Sequence, residues 1–438
     1  MEIRREKILN VGNEIEPLTY VKVVRKDGLE VSGLVLPLAR SDDTIVIKLD
    51  NGYNIGIKKE NIERIEVLGK YEKKVSHRES KRVERRPGFP LVKIIGTGGT
   101  IASKIDYETG AVKPYLSANE LIEDIPEIKE IADLETEQLL DILSENMKPK
   151  NWERIALEVH KELLRDDVKG IIVAHGTDTM SYTAAAISFA IQELNKPVVF
   201  VGAQRSSDRP SSDAAFNLLA ATLVAARAPF AEVVITMHGE TGDTYAVVHR
   251  ATRTRKMHST RRDAFKSICS KPIALVWPWI YELKVIEKDL RKRSNSIPRL
   301  LNKFDERAFL VKMFPGMKSD IFDIIKERGY KGIIIEGTGM GHISEDLLST
   351  IRNLIKDGIF VGMTTQCIYG TTNLNVYATG RKLLEVGVTP LGDMLSETAL
   401  VKLMWVLGNF GDDIEVVKRK MLEPIAGEIS SRRTLDLF

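Results

Sequence analysis

"GIIVAHGTDTMSYTAAAISFAIQEL", Gly170 to Leu194, decides how the rest of the chain is read. It opens as a short apolar run, breaks into the polar loop "HGTDT", and resumes with apolar residues three and four apart, the pattern of a strand, a loop and a helix. The same rhythm recurs in "PVVFVGAQRSSDRPSSDAAFNLLAATLVAAR", Pro197 to Arg227, and "EVVITMHGE" adds a further strand. Strands alternating with helices at this spacing predict an α/β fold with a largely parallel sheet covered on both faces. Ligands of such sheets sit at the carboxyl ends of the strands. The loops "GTGGT" (Gly96 to Thr100), "HGTDT" (His175 to Thr179) and "GAQRSSD" (Gly202 to Asp208) all fall there, so they are expected to share one cleft.

Upstream the chain changes character. "YVKVVRKDGLEVSGLVLPL" and "DTIVIKLDNGYNIGIKKENIERIEVLG" are Val- and Ile-rich segments broken by Lys26-Asp27-Gly28 and Asp50-Asn51-Gly52, which read as hairpin turns. Residues 1–70 are therefore expected to form a small, barrel-like all-β module. Between Lys70 and Arg86 there are eight Lys or Arg against three Glu, and the stretch ends in Pro87-Gly88 and Pro90, so 71–90 reads as a basic linker. The strand and helix pattern then spans 91–285. A second polar break at 286–303 precedes a smaller α/β domain, 304–438, which repeats the rhythm in "FLVKMF", "GYKGIIIEGTGMGH" and "GIFVGMTTQ". Near its end an amphipathic helix is expected to turn Leu400, Leu403, Met404 and Leu407 inward.

Composition excludes several classes of function. The 438 residues carry 64 Lys and Arg against 61 Asp and Glu, a balance that does not mark the whole chain as a nucleic-acid binder. Lys70 to Arg86, and Lys284 to Lys303 with seven basic residues against two acids, are local exceptions; they read as solvated linker or as an RNA-touching strip. No apolar run approaches the roughly 18 residues of a membrane span, and "MEIRREKILN" has no secretory apolar core, so a cytoplasmic location without membrane contact is expected. Cys269 and Cys367 stand alone, without the spacing of a disulfide framework or a zinc site. The seven histidines include no metal-binding His pair flanking a glutamate, so no metal is expected.

The chemistry lies in the loops. A dinucleotide fingerprint requires Gly-x-Gly-x-x-Gly, but after Gly96 and Gly98 the third position is Ile101; no lysine follows Gly99 as a phosphate-binding Walker loop requires. "EGTGMGH" fails in the same way, with His342 in the closing position. A hydroxyl nucleophile fits better. A threonine needs a base and the base needs an orienting group, and "HGTDTMSY" places Thr177 beside the carboxylate of Asp178 just ahead of a helix. A lysine would complete a proton relay, and the amides of Gly98 and Gly99 would hold an oxyanion. Asp178 and Thr179 read equally well as a helix N-cap.

"GTGGTIAS" at Gly96 to Ser103, followed by "AHGTDTM" at Ala174 to Met180, resembles the paired threonine motifs of the L-asparaginase and glutaminase family, and the likeness runs from about Leu91 to Leu407. It implies Thr100 as nucleophile, Thr177 with Asp178 as the second threonine and its carboxylate, Lys266 in "RDAFKS" as the relay lysine, and Tyr107 in the loop that closes on substrate. It further implies that Ser144 in "ILSENM" binds the substrate α-carboxylate, with Glu145 where secreted bacterial members carry glutamine.

The extra β module, "YGTTNLNVYATGRKLLEVGVTPLGDMLSETALVKLMW" and "EPIAGEISSRR" are similar to the D-subunit family of the archaeal glutamyl-tRNA(Gln) amidotransferases. That resemblance implies ammonia release from L-glutamine or L-asparagine and a homodimer of this chain within a D2E2 assembly. It also implies an E subunit that binds Glu-tRNA(Gln) and uses ATP and Mg2+, with no cofactor on this chain. A free asparaginase or glutaminase with a fused β module, or a non-catalytic scaffold, are the competing readings.

Overall fold

The computed structural model describes residues 7–9, 15, 19–36, 43–49, 53–70, 85–99, 103–105, 112–114, 125–205 and 211–431. Six strands between Lys7 and Lys70 form one antiparallel sheet over a core of Val21, Val23, Val31, Val35, Ile45, Ile47, Ile57, Ile62 and Ile65. The expected turn at Lys26-Asp27-Gly28 is present, with Gly28 at φ 85° and its amide 2.9 Å from the Arg25 carbonyl oxygen. Asp50-Asn51-Gly52 lies outside the described residues.

The central sheet has eight strands in the spatial order Asp133–Gln138, Leu91–Gly96, Val168–Ala174, Val198–Val201, Val233–His238, Ala246–Arg250, Ala274–Trp277 and Glu282–Val285. The first five are parallel, and the last three join antiparallel. Strand period places Leu91, Ile95, Ile171 and Val173 on one face, against the helices Pro149–Leu163 and Met180–Ala190. Val92, Ile94, Ile172 and Val199 point the other way, onto the helix Ala214–Arg227. Burial on both faces explains why these strands read as apolar runs rather than alternations.

A second, parallel sheet is built from Ala308–Lys312, Gly332–Gly337, Phe360–Thr365 and Thr389–Pro390. The helix Ser396–Phe410 joins the two α/β domains. Leu403 and Leu407 are buried as expected, but Leu400 and Met404 are only half-buried, while Ala399, Val401, Trp405 and Val406 are buried as well. Wedged between domains, the helix has little free surface, so its inward side is wider than an amphipathic stripe. Its Trp405 ring lies 5.9 Å from that of Phe189.

The polar break 286–303 is not a free linker. Arg299–Leu300 pairs antiparallel with Ile191–Gln192. Arg293 docks on the end of the helix Ala214–Arg227, donating to the carbonyls of Ala225 at 2.9 Å and Ala228 at 2.5 Å, which lack partners within the helix. At the end of the first basic stretch, Arg86 donates to Asp133 at 2.8 Å and Arg85 lies 2.7 Å from Asp167. These described arginines serve the protein's own surface. Among the described residues no helix is long and apolar enough to cross a membrane.

Candidate active site

The loop after Val168–Ala174 presents Thr177 and Asp178 at the carboxyl end of the strand. Neither Asp178 nor Thr179 caps the helix that follows: no side chain accepts from its first amides, and the Thr179 hydroxyl donates 2.6 Å to the Ser144 carbonyl oxygen instead. Asp178 is engaged elsewhere. Its Oδ1 accepts from the Lys256 ammonium at 2.6 Å, and the same Nζ lies 2.9 Å from Thr177 Oγ1. A hydroxyl, a lysine and a carboxylate therefore form one hydrogen-bonded group, the arrangement a relay requires.

The lysine is not the expected one. Lys266 donates to Asp263 Oδ2 at 3.0 Å rather than to Thr177 or Asp178. The reason is strand geometry: Thr254–Lys256 pairs with Phe265–Ser267 so that Lys256 is opposite Phe265, whereas Lys266 is opposite Arg255. Successive side chains point to opposite faces, so the face carrying buried Phe265 and Thr254 also carries Lys256, and Lys266 projects the other way. Lys256 keeps only 13% of its side-chain surface exposed, against 41% for Lys266. "TRKMHSTRRDAFKS" contains both lysines, and only the pairing of Lys256 with Phe265, which leaves Lys266 one residue off the position opposite Lys256, separates them.

The glycine loop joins the same place. Gly98 and Gly99 have φ of 104° and 90°, a region disfavoured for residues with a Cβ. A Cβ on Gly98 would run into the Ile142 carbonyl, and one on Gly99 would lie 2.5 Å from the Gly176 nitrogen. The backbone just before Thr100 is thus packed against the residue just before Thr177. Thr100 and Tyr107 themselves lie outside the described residues. Ser144 is buried, and a Cβ on Gly176 would lie 2.8 Å from its Oγ, so its hydroxyl borders the same loop; Glu145 is exposed. The third loop closes in at Gly202, where a Cβ would lie 2.8 Å from Thr177 Cγ2. Buried Asp213 fixes it by accepting from the amides of Gln204 and Arg205 at 3.0 and 2.9 Å.

The histidines near the site have a structural character. His175 donates through Nδ1 to the Gly176 carbonyl at 2.7 Å, and burial pushes its pKa down to about 4; His249 is pushed to about 3 by burial and then by Lys266. Both are neutral in the folded protein, whereas unfolded chain takes up protons near 6.5. Their lowered folded values mean that the associated stability is fully present above pH 6.5 and is lost as pH falls from there towards 4 and 3. The urea midpoint is expected to drop over this interval, and a His175→Asn protein that still unfolds cooperatively should show a shallower drop. One acidic group, Glu137, Glu158 and Glu162, has metal-like spacing, but the Lys93 ammonium lies 2.9 Å from Glu137 and supplies the positive charge there.

Comparison with known proteins agrees with this organisation. Residues 91–287 match the family model of the asparaginase N-terminal domain, 307–421 that of the glutaminase/asparaginase C-terminal domain, and 15–68 that of the GatD N-terminal domain. The chain is 51% identical to the D subunit of glutamyl-tRNA(Gln) amidotransferase from Pyrococcus abyssi, over 100% of this chain and 99% of that one. It is 50% identical to the protein of the same name from Metallosphaera sedula, over 99% and 96%. Among solved structures, the thermostable L-asparaginase from Thermococcus kodakarensis superposes with a TM-score of 0.70 at 33% identity, covering 78% of this chain and all of that one. The chain belongs to the family of glutamyl-tRNA(Gln) amidotransferase D subunits, an amidotransferase component built on the asparaginase fold.

Proposed function

We propose that this chain hydrolyses the side-chain amide of L-glutamine or L-asparagine and passes the ammonia to a partner subunit. The observation that carries the reading is the group Thr177, Lys256 and Asp178 held at 2.6 to 2.9 Å beside the glycine loop that leads to Thr100. In this mechanism Thr100 Oγ attacks the amide carbon and gives up its proton. Thr177 and Lys256 conduct that proton to the departing nitrogen, which leaves as ammonia, and the substrate acyl group remains as an ester on Thr100. Water then cleaves the ester, releasing glutamate or aspartate and restoring the threonine. Asp178 keeps Lys256 oriented, and the amides at Gly98 and Gly99 face the developing oxyanion. Ser144 binds the substrate α-carboxylate, Tyr107 belongs to the closing loop, and Glu145 borders the α-amino end.

The recipient is an E subunit that activates Glu-tRNA(Gln) with ATP and Mg2+ and converts it to Gln-tRNA(Gln), two copies of each chain forming the complex. The match of residues 15–68 to the GatD N-terminal domain supports this over a free asparaginase. Ammonia release from each amino acid, measured on the purified chain and then with E subunit and Glu-tRNA(Gln), tests the reading. Release should be low alone and rise sharply with both additions. Fast release indifferent to them would instead identify a free asparaginase or glutaminase.

A further inference from the structure

The relay lysine stands three residues after one of the most completely bonded side chains in the protein. Arg253 is 1% exposed, at the end of the short 3-10 turn Ala251–Arg253 that runs directly into Thr254–Lys256. Its guanidinium donates to the Gly427 carbonyl at 2.8 Å, the Asp393 carbonyl at 3.0 Å, Asp393 Oδ1 at 3.2 Å and Ser430 Oγ at 2.8 Å. Its neighbour Thr252 donates to the Ala426 carbonyl at 2.8 Å, and the Thr252 carbonyl accepts from Thr398 Oγ1 at 3.1 Å. All of these partners belong to the C-terminal part of the chain, and most lie on a single strap, Glu423–Ser430.

The strap is itself held in shape. Glu428, fully buried, accepts from the amides of Ile425 and Ala426 at 3.1 and 2.7 Å and from the Lys402 ammonium at 2.5 Å. Lys402 also donates to the carbonyls of Met421 and Glu423, at 3.0 and 2.6 Å. The Ser430 amide donates to Asp393 Oδ1 at 3.0 Å, closing the ring around Arg253. Lys402 and Glu428 are both fully buried, and a buried charge pair with one member removed is strongly destabilising.

We propose that the strap Glu423–Ser430 is a positioning element for the site, and that Arg253, through its bonds to the strap and Asp393, sets the backbone that delivers Lys256 to Thr177 and Asp178. The inference rests on Lys256 serving the reaction as described above. It makes the second α/β domain a requirement for relay geometry in the first, because displacing a catalytic group by about 1 Å can cost on the order of a hundredfold in rate.

The test is steady-state ammonia release by the complete assembly containing D-chain variants. Ser430→Ala combined with Thr252→Val removes two grips while leaving both buried charge pairs intact. It is expected to lower kcat roughly tenfold with KM unchanged, with Ser430→Thr in place of Ser430→Ala restoring most of the loss. Arg253→Lys should lower kcat further; if that protein fails to fold, the double variant decides. Folded double-variant protein with unaltered kcat, or with its defect confined to KM, would overturn the proposal. Lys256→Met is run alongside to separate the two levels: an inactive Lys256→Met with a fully active double variant sinks only the strap's role, whereas a fully active Lys256→Met removes the lysine from the site and the strap's purpose with it.

Discussion

Replacing Lys256 by Met is expected to lower ammonia release by at least about a thousandfold, while Lys266→Met stays within about twofold of the unaltered protein. The contrast follows from bonding. Lys256 spans Thr177 and Asp178, at 2.9 and 2.6 Å, so its loss disconnects the hydroxyl from the carboxylate. The structural cost should be small, because Asp178 has 67% of its side-chain surface exposed and is left in water rather than buried without a counter-charge. Lys266 touches Asp263, which keeps two bonds from Arg261 at 2.8 and 2.9 Å when the lysine is gone. Circular dichroism and the thermal midpoint of Lys256→Met should match the parent, so that the lost rate is a loss of chemistry. The reverse result, an active Lys256→Met with a dead Lys266→Met, would restore the assignment suggested by the motif.

The second large effect concerns the hydroxyls. Thr177→Val keeps the shape of the side chain, including the methyl that Gly202 accommodates, and removes only the oxygen that Lys256 holds. Ammonia release should fall by about two to four orders of magnitude, the usual reach of proton transfer. Thr100→Ala should be at least as severe because it removes the attacking atom. If Thr177 acts after the ester forms, the Thr177→Val protein will accumulate acyl-enzyme on Thr100, visible as an added glutamyl or aspartyl mass; Thr100→Ala must show none. A pair of variants that both retain full turnover would remove the two-threonine mechanism.

Much of this arrangement was legible in the sequence because backbone rules produce it. Apolar runs ending in polar loops placed Gly98, Gly99, Thr177 and Gly202 at the carboxyl ends of parallel strands, where the structure brings them together, whereas Ser144 was reached only through the family resemblance. The two φ values near 100° at Gly98 and Gly99 explain why that loop carries consecutive glycines. Three features were hidden for physical reasons. The identity of the lysine depends on hairpin register, which short polar strands do not announce, so a motif neighbour displaced Lys256 by ten positions. The choice between relay and N-cap for Asp178 depends on a partner 78 residues away. The fate of 286–303 depends on the carbonyls at the end of Ala214–Arg227, which Arg293 satisfies although its local sequence resembles solvated linker. The strap around Arg253 is of the same kind: its bonds span more than 130 residues, and no local pattern reports them.

The central claim, that this site feeds nitrogen to an aminoacyl-tRNA, is tested most directly with glutamine carrying a heavy nitrogen isotope in its side-chain amide. The chain, the E subunit, ATP, Mg2+ and Glu-tRNA(Gln) are incubated with that substrate in a large excess of unlabelled ammonium, and the amino acid released from the tRNA is weighed by mass spectrometry. Glutamine enriched in the heavy isotope, formed by the unaltered chain and not by Lys256→Met, is the expected result. Glutamine carrying only unlabelled nitrogen, or tRNA that still bears glutamate while labelled ammonia accumulates in solution, would contradict it.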